Sequence, residues 1–400
     1  MRSAVAVTGP GALLRRGLLF VLLSLPLTAG ANRAVAGSPA EVLQQSALKQ
    51  DAATKDEKQN VLWYSLEHFN VEGREFDNLA APYDRLPATA EKEVRPPVWS
   101  LSRHSAGLCT RFVTDATSIS CRWTLTSASL AMPHMPATGV SGVDLYVRGE
   151  DGRWWWLANG RPSAQSNTSR LVGGIPAGTR EYMLYLPLYN GVSSVEIGLP
   201  DSARIAPAGV RPSGQTKPVV FYGTSITQGG CASRPGMVHT AILGRMLDVP
   251  VVNMGFSGNG RMELEVTKYL AQIDASVFVL DCLPNIDAAQ VKERTEPVVR
   301  LLREKHPETP ILLVEDRTYS DAFLVQSKRD RNDTSRVELK KAFERLTEAG
   351  VKHLYYLEGE KLLGDDNEGT VDSSHPTDLG FMRQAEAFRE AIRPLLKTSN

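Results

Sequence analysis

The sequence predicts an α/β fold with a parallel five-stranded sheet, preceded by a β-sandwich. In the second half, apolar runs alternate with helix-period segments, which is typical of a parallel sheet covered on both faces by helices. In the first half, short strand-like runs are separated by turn clusters, which favours a sandwich. A Pro-, Gly- and Ser-rich stretch at 206–215 lies between them, so we predict a β domain at 37–210 and an α/β domain at 216–400.

The composition excludes several classes of protein. The 400 residues include 45 Lys and Arg and 45 Asp and Glu, giving a formal net charge of zero, with 42% hydrophobic and 22% charged residues. This balance is typical of a soluble globular protein and excludes a mainly disordered chain or a polytopic membrane protein. A chain without basic surplus is also a poor binder of nucleic acid, so we expect no such partner.

Residues 1–36 have the pattern of an export signal. Arg15 and Arg16 precede an apolar stretch of about 13 residues, which suits a signal peptide and falls short of the roughly 20 residues of a transmembrane helix. Small residues near 29–36 suit signal peptidase. We therefore expect a secreted or periplasmic protein with no stable membrane insertion after cleavage; an uncleaved anchor is the alternative.

Four cysteines are too few for a disulfide scaffold. Cys109 and Cys121 flank a turn at 114–117, where a hairpin would place them opposite one another. They are either a cross-strand disulfide or two small buried side chains, and a Cys231–Cys282 bridge is equally open. No pair has the C-x-x-C spacing of a structural zinc site, so no metal is expected.

Turn signals delimit the strand-like runs of the first half. Asn190-Gly191 separates apolar runs at 182–189 and 192–199, and Asn-Gly in that setting is a strong hairpin signal, so we predict a hairpin there. In the run 154–156, three tryptophans alternate along a predicted strand. At least one is expected in the core, while another could stack on a sugar.

Five apolar runs are the predicted strands of the parallel sheet, at 219–222, 250–253, 276–280, 311–314 and 354–357. Helices are predicted at 237–248, 262–272, 288–306, 335–349 and 378–396. Because ligands bind at the carboxyl ends of the strands in open α/β sheets, the residues that follow each strand form the candidate site.

Three of these residues have the chemistry of a serine hydrolase. Ser225 follows the first strand in a glycine-rich turn, where its hydroxyl would face solvent. A serine needs a base to remove its proton, and His375 after the fifth strand is the candidate. Asp372, three residues earlier, would orient the imidazole and stabilise its cationic form.

Two further segments offer donors for an oxyanion. Gly258, after the second strand, has a backbone N–H with no side chain in the way, and Asn285, after the third, has a carboxamide NH₂. With the N–H of Ser225 they would make three donors. Singly, each residue has a commoner role in a turn or cap; their shared position at strand ends carries the prediction.

These segments resemble the four signature blocks of the SGNH hydrolases, also called the GDSL esterase/lipase family. The usual Gly-Asp-Ser appears as Gly223-Thr224-Ser225, and the glycine and asparagine of blocks two and three match Gly258 and Asn285. The final Asp-x-x-His matches Asp372 and His375. The third block lacks the common Gly-x-Asn-Asp form and reads Leu-Pro-Asn-Ile-Asp at 283–287.

The segment 142–146, Gly-Val-Asp-Leu-Tyr, resembles the domain that precedes one subgroup of these hydrolases. The resemblance implies a flavodoxin-like three-layer domain, catalytic residues Ser225, Asp372 and His375, and an oxyanion hole of Ser225, Gly258 and Asn285. It also implies a secreted serine esterase that removes short acyl groups, with acetyl the leading case, from a small-molecule or polysaccharide ester without a cofactor.

Two alternatives stay open: a lipase or acylhydrolase for longer chains, and a non-catalytic glycan-binding protein. Possible substrate contacts are Asn259, Arg234 and Arg317, although Arg234 could be simply solvated and Arg317 could belong to a buried ion pair. The remaining histidines show no ligand spacing and are predicted to be structural: His68, His104, His134, His239, His306 and His353.

Overall fold

Two antiparallel sheets make up most of the first half of the chain. The structure is a computed structural model that describes residues 37–396, so the predicted signal segment 1–36 lies outside the described residues. The strands of the two sheets are β1 (Ala53–Asp56), β2 (Val61–Ser65), β3 (Val71–Glu72), β4 (Cys109–Thr114), β5 (Ser118–Leu125), β6 (Val143–Arg148), β7 (Trp154–Gly160), β8 (Ser166–Gly173), β9 (Arg180–Tyr185), β10 (Val192–Pro200) and β11 (Ile205–Pro207).

One sheet has the order β1-β2-β10-β5-β8, and the other has the order β11-β4-β9-β6-β7 with β3 beside β4. Trp123 and Ile197 of the first sheet meet Phe112, Leu145 and other side chains of the second in a single apolar core. The β-rich first half is therefore confirmed. Its alternating pattern is clearest in β5, where every second residue is buried.

The predicted hairpin at Asn190-Gly191 is wrong. The strands on either side, β9 and β10, belong to different sheets. Asn190 is buried, and its amide donates to Ser127 O at 3.0 Å and Ser141 Oγ at 3.1 Å. The side chain thus stabilises a crossing between sheets rather than a tight turn.

The same topology shows that Cys109 and Cys121 are not partners in a hairpin. Cys109 lies in β4 and Cys121 in β5, and the connection between those strands also crosses from one sheet to the other. All four cysteines are free and buried. The alternative of small buried side chains therefore holds for this pair.

The second half forms the predicted parallel sheet, with β12 (Val219–Gly223), β13 (Val251–Gly255), β14 (Val277–Asp281), β15 (Ile311–Val314) and β16 (Leu354–Leu357) in the order β13-β12-β14-β15-β16. The helices of the described chain are α1 (Pro39–Ser46), α2 (Pro96–Ser102), α3 (Ala137–Val140), α4 (Ser225–Gln228), α5 (His239–Leu247), α6 (Leu264–Leu270), α7 (Ala288–Lys305), α8 (Gln326–Glu348) and α9 (Asp378–Ile392). None of the helices within residues 37–396 has the length and hydrophobicity to cross a bilayer.

Alternate side chains of the parallel strands face two apolar layers. In β12, Val220 and Tyr222 pack with α6, α7 and α8, while Val219 and Phe221 pack with α5 and α9. A sheet buried on both faces requires continuous apolar strands, which is why the five runs are so legible in the sequence. The three-layer α/β fold is confirmed.

Part of the first half packs into the α/β core. Phe76, Leu86 and Val98 belong to the same apolar cluster as Val252 and Met254 of β13. The two halves therefore share buried surface beyond the linker. The domain limits at 210 and 216 stay a prediction.

Arg85 connects the two halves at this point. Its guanidinium is buried and donates to four backbone carbonyls: Leu101 O at 2.6 Å, His104 O at 2.8 Å, Asn253 O at 2.8 Å and Gly255 O at 2.9 Å. Burial lowers the pKa of Arg85 to about 9, so the group remains cationic at neutral pH. These bonds connect the first half to the end of the strand that leads to Gly258.

We expect Arg85→Met to lower the free energy of unfolding by about 3 kcal/mol or more, because buried carbonyls would lose their donor. The matched control is Arg122→Met, since the side chain of Arg122 is 32% exposed and its guanidinium lies on the outer side of the sheet, 3.9 Å from the centre of the buried Trp63 ring. Urea unfolding would measure both. Equal stability of the two variants would contradict a connecting role for Arg85.

Candidate active site

A sharp turn from strand to helix positions Ser225. Strand β12 ends at Gly223 and α4 begins at Ser225, with the Thr224 side chain accepting from Ile226 N at 3.3 Å. A Cβ at Gly223 would lie 2.0 Å from Thr227 Oγ1, so only glycine fits there. The turn holds the serine at the carboxyl edge of the sheet.

Ser225, His375 and Asp372 form a continuous hydrogen-bonded chain. Ser225 Oγ lies 2.8 Å from His375 Nε2, and His375 Nδ1 lies 2.8 Å from Asp372 Oδ2. Asp372 Oδ1 also accepts from the backbone N–H groups of His375 at 2.8 Å and Ser374 at 3.1 Å. Partial burial raises the pKa of Asp372, but these hydrogen bonds outweigh it, and its pKa lies below the ordinary value. An ionised Asp372 is suited to orienting the imidazole.

Hydrogen bonds join the loop that carries Asp372 and His375 to the segment that follows β15. Ser373 has a left-handed φ of 77°, and its hydroxyl donates to Asp321. Lys328 Nζ donates to Ser373 Oγ at 3.1 Å and to Asp321 Oδ2 at 2.5 Å. The loop after β15 therefore contacts the loop that carries the base and its orienting carboxylate.

The predicted oxyanion donors occupy the ends of the next two strands. Gly258 has a φ of 68°, and a Cβ there would meet no atom within 4 Å, so its backbone borders open space. We assign the Asn285 carboxamide the orientation that satisfies its neighbours, in which its oxygen accepts from Asn259 N at 3.1 Å and Gly260 N at 3.2 Å and its NH₂ lies on the other side of the amide. Ser225 is the first residue of α4, so its N–H has no acceptor within that helix.

Arg317 does not reach a substrate. It is 2% exposed, and its guanidinium makes two 2.7 Å hydrogen bonds to the carboxylate of Asp281 at the end of β14. Asp281 Oδ2 also accepts from Thr227 Oγ1 of α4 at 3.0 Å. The sheet and the nucleophile helix are thus braced by a buried ion pair, and Arg317 is no substrate contact.

The structure also gives Arg234 another partner. Arg234 donates to Asp144 at 2.8 Å and to Tyr146 Oη at 2.5 Å, and it lies 5.0 Å from the centre of the Trp156 ring. Gly236 N adds a 2.9 Å bond to the same carboxylate. The Asp and Tyr of the Gly-Val-Asp-Leu-Tyr segment therefore hold the loop that follows the nucleophile.

Asn259 is likewise engaged within the protein. Its Oδ1 accepts from Arg95 at 2.8 Å, and its Nδ2 donates to Ser257 O at 2.9 Å. The side chain stabilises the loop that contains Gly258. The role of Asn259 as a substrate contact stays a prediction.

The sequence prediction missed two features at this edge. The ring centre of His134 lies 6.2 Å from that of His375, although it was predicted to be structural. Exposed apolar side chains also lie in the two segments joined at Ser373, with Phe323 65% and Leu324 77% exposed in the loop after β15 and Val371 48% exposed beside Asp372. The apolar run Phe-Leu-Val at 323–325 was a visible signal, but nothing in the sequence connects His134 to the site.

The comparisons with known proteins cover both halves. A GDSL-like lipase/acylhydrolase family model matches residues 216–393, and a model for the N-terminus of SGNH-hydrolase-type esterases, named for Gly-x-Asp-Leu-Tyr, matches residues 61–205. Comparison with curated proteins gave no match.

Solved structures share the fold over most of the chain. A protein named as a GDSL-like lipase from Bacteroides ovatus is 34% identical, with a TM-score of 0.79 over 85% of this chain and 100% of that one. The salicylyl-acyltransferase SsfX3 of a tetracycline biosynthetic pathway is 19% identical, with a TM-score of 0.65 over 87% and 98%. A family two carbohydrate esterase from Cellvibrio japonicus is 14% identical, with a TM-score of 0.54 over 84% and 98%. On this evidence the chain belongs to the GDSL-like lipase/acylhydrolase family.

Proposed function

We propose that the protein is a secreted serine esterase that hydrolyses short acyl esters, acetyl esters above all, on a carbohydrate. The observation that carries the esterase part is the hydrogen-bonded chain from Ser225 through His375 to Asp372. Family membership supports acyl transfer from an ester. The predicted export signal supports the location, and the carbohydrate esterases among the fold relatives support the sugar.

The reaction would proceed through an acyl-enzyme. Ser225 Oγ attacks the carbonyl carbon while its proton passes to His375 Nε2, and the resulting oxyanion accepts hydrogen bonds from Ser225 N, Gly258 N and the Asn285 NH₂. Collapse breaks the carbon–oxygen bond and expels the alcohol with the proton from His375. Water then attacks the acyl-enzyme by the same route, which releases the acid and restores Ser225.

One observation favours a second candidate, an acylhydrolase for longer chains. Phe323, Leu324 and Val371 expose apolar surface beside the loop of Asp372 and His375, where a long acyl chain would gain by burial. The Asp321–Ser373 hydrogen bond joins the two segments that carry these side chains. A purely glycan-binding protein is less well supported, because binding alone does not require a nucleophile, a base and an orienting carboxylate joined by hydrogen bonds.

A series of esters whose acyl groups differ in length distinguishes the two esterase candidates. We expect kcat/KM to be highest for p-nitrophenyl acetate and to fall by about tenfold or more for the octanoate, because the open space at Gly258 offers a longer acyl chain little surface to bury against. A double Phe323→Ser, Leu324→Ser variant should then keep its acetate activity. The control is Val337→Ser, since Val337 is exposed on α8. A preference for the octanoate that the double variant alone loses would establish the longer-chain candidate instead.

A further inference from the structure

We propose that His134, contributed by the antiparallel half, contacts the alcohol part of the ester and selects alcohols that carry further hydroxyl groups. This assignment rests on the proposed esterase function and deepens it. The residues around His134 in the sequence form no motif that would identify it as a site residue. The proposal rests on its position beside the His375 ring in the folded protein.

A two-residue turn presents His134 to the site. Met132 and Met135 pair through reciprocal backbone hydrogen bonds, Met132 N to Met135 O at 3.0 Å and Met135 N to Met132 O at 3.1 Å. Pro133 and His134 are therefore the tip of a short hairpin. His134 is exposed, and its ring lies 6.2 Å from the ring of His375, centre to centre.

The base of this hairpin is fixed to the nucleophile loop. Met135 is 2% exposed and packs in one apolar cluster with Ile226, the neighbour of Ser225, and with Ala232. Thr138 Oγ1 donates to Ser233 O at 2.6 Å. A Cβ at Gly139 would lie 2.2 Å from Ala232 O, so the two backbones are in close contact. The position of His134 is thus coupled to that of Ser225.

The chemistry of the reaction tells which part of the substrate His134 meets. His375 Nε2 must return its proton to the departing alcohol oxygen, so the alcohol lies beside the His375 ring. The carbonyl oxygen points instead to Ser225 N, Gly258 N and Asn285. A side chain next to the His375 ring therefore faces the alcohol.

The imidazole of His134 suits a hydroxylated alcohol. A neutral imidazole has one donor and one acceptor nitrogen, and a hydroxyl group has both functions as well. Hydrogen bonds of about 2.8 Å to each partner fit within the space between two rings whose centres are 6.2 Å apart. A sugar with a free hydroxyl next to its ester could therefore contact His134 while its ester oxygen lies at His375.

The test compares two esters in three variants of the full chain. The substrates are a mono-acetylated methyl glycoside, which has neighbouring hydroxyls, and p-nitrophenyl acetate, which has none. The variants are His134→Ala, His134→Gln and the control His353→Ala. His353 precedes β16 and so lies at the amino ends of the strands, opposite the candidate site. Its Nε2 lies 3.0 Å from Glu308 Oε2.

We expect His134→Ala to lower the ratio of kcat/KM for the glycoside to that for p-nitrophenyl acetate by about 3- to 10-fold, as the loss of one hydrogen bond would do. His134→Gln should restore most of the ratio because glutamine keeps a donor and an acceptor. His353→Ala should leave both rates unchanged. Circular dichroism would establish that each variant is folded.

An unchanged ratio in a folded His134→Ala protein would overturn the assignment. Equal losses on both esters with a shifted pH profile would also overturn it, because His134 would then act on His375 rather than on the alcohol. A wild-type protein that hydrolyses neither ester would contradict the proposed function itself, and the His134 assignment with it. Activity on both esters with no effect of His134 contradicts only the latter.

Discussion

Replacing Ser225 with alanine is expected to lower kcat by about 10⁴-fold or more while the protein remains folded. The Ser225 hydroxyl is the nucleophile of the proposed reaction, and it lies 2.8 Å from His375 Nε2, which takes up its proton. Its loss removes no core packing, because the backbone of the turn is held by Thr224 and Gly229. Hydrolysis of p-nitrophenyl acetate would measure the effect.

Ser194→Ala is the matched control for this experiment. Ser194 is exposed on β10 in the antiparallel half, so its replacement should change neither folding nor rate. If a folded Ser225→Ala protein kept more than a few per cent of the wild-type rate, Ser225 would not be the nucleophile.

The second large effect is expected at Asn285. Asn285→Ala should lower kcat by about 10²- to 10³-fold with little change in KM, because a donor to the oxyanion acts mainly in the transition state. Single-substrate kinetics on p-nitrophenyl acetate would separate the two constants. A large rise in KM at constant kcat would instead make Asn285 a contact of the bound ester.

Asn285→Asp distinguishes donation from loop structure. The aspartate keeps an oxygen that can accept from Asn259 N and Gly260 N, but an ionised carboxylate has no hydrogen to donate. The Asp variant should therefore be as impaired as the Ala variant. A rate close to wild type would show that Asn285 serves only to hold the loop of Gly258.

The α/β half could be predicted from the sequence because each of its strands corresponds to a local sequence pattern. Each parallel strand is a continuous apolar run that must be buried on both faces, and the predicted runs match β12 to β16 within one or two residues. The rule that ligands bind at the carboxyl ends of such strands led to Ser225 and His375. The structure brings these two side chains and Asp372 together, while their catalytic roles await the experiments.

Strand pairing in the antiparallel half was less predictable because it depends on distant partners. The Asn-Gly signal at 190–191 resembles a hairpin, yet Asn190 binds Ser127 and Ser141, which are far away in the chain. The start of α8 at Gln326 was missed for a similar reason. Its first turns have no apolar periodicity, and Asn332 within them is buried through hydrogen bonds to Arg317 O and Tyr319 N.

The same limit applied to individual side chains at the site. Arg234 looked available until Asp144 and Tyr146 of the antiparallel half were seen to bind it. His134 looked structural until folding placed it beside His375. Both outcomes depend on contacts between the two halves of the chain, which no local pattern encodes.

Labelling with a fluorophosphonate tests the central claim, that Ser225 is a nucleophile activated by His375, most directly. Such a reagent forms a stable bond to an activated serine oxygen with loss of fluoride, and peptide mass spectrometry locates it. We expect one adduct, on the peptide that contains Ser225, in step with the loss of esterase activity, and much slower labelling of a folded His375→Ala protein. An adduct on another residue, or equal labelling of the His375→Ala protein, would contradict the claim.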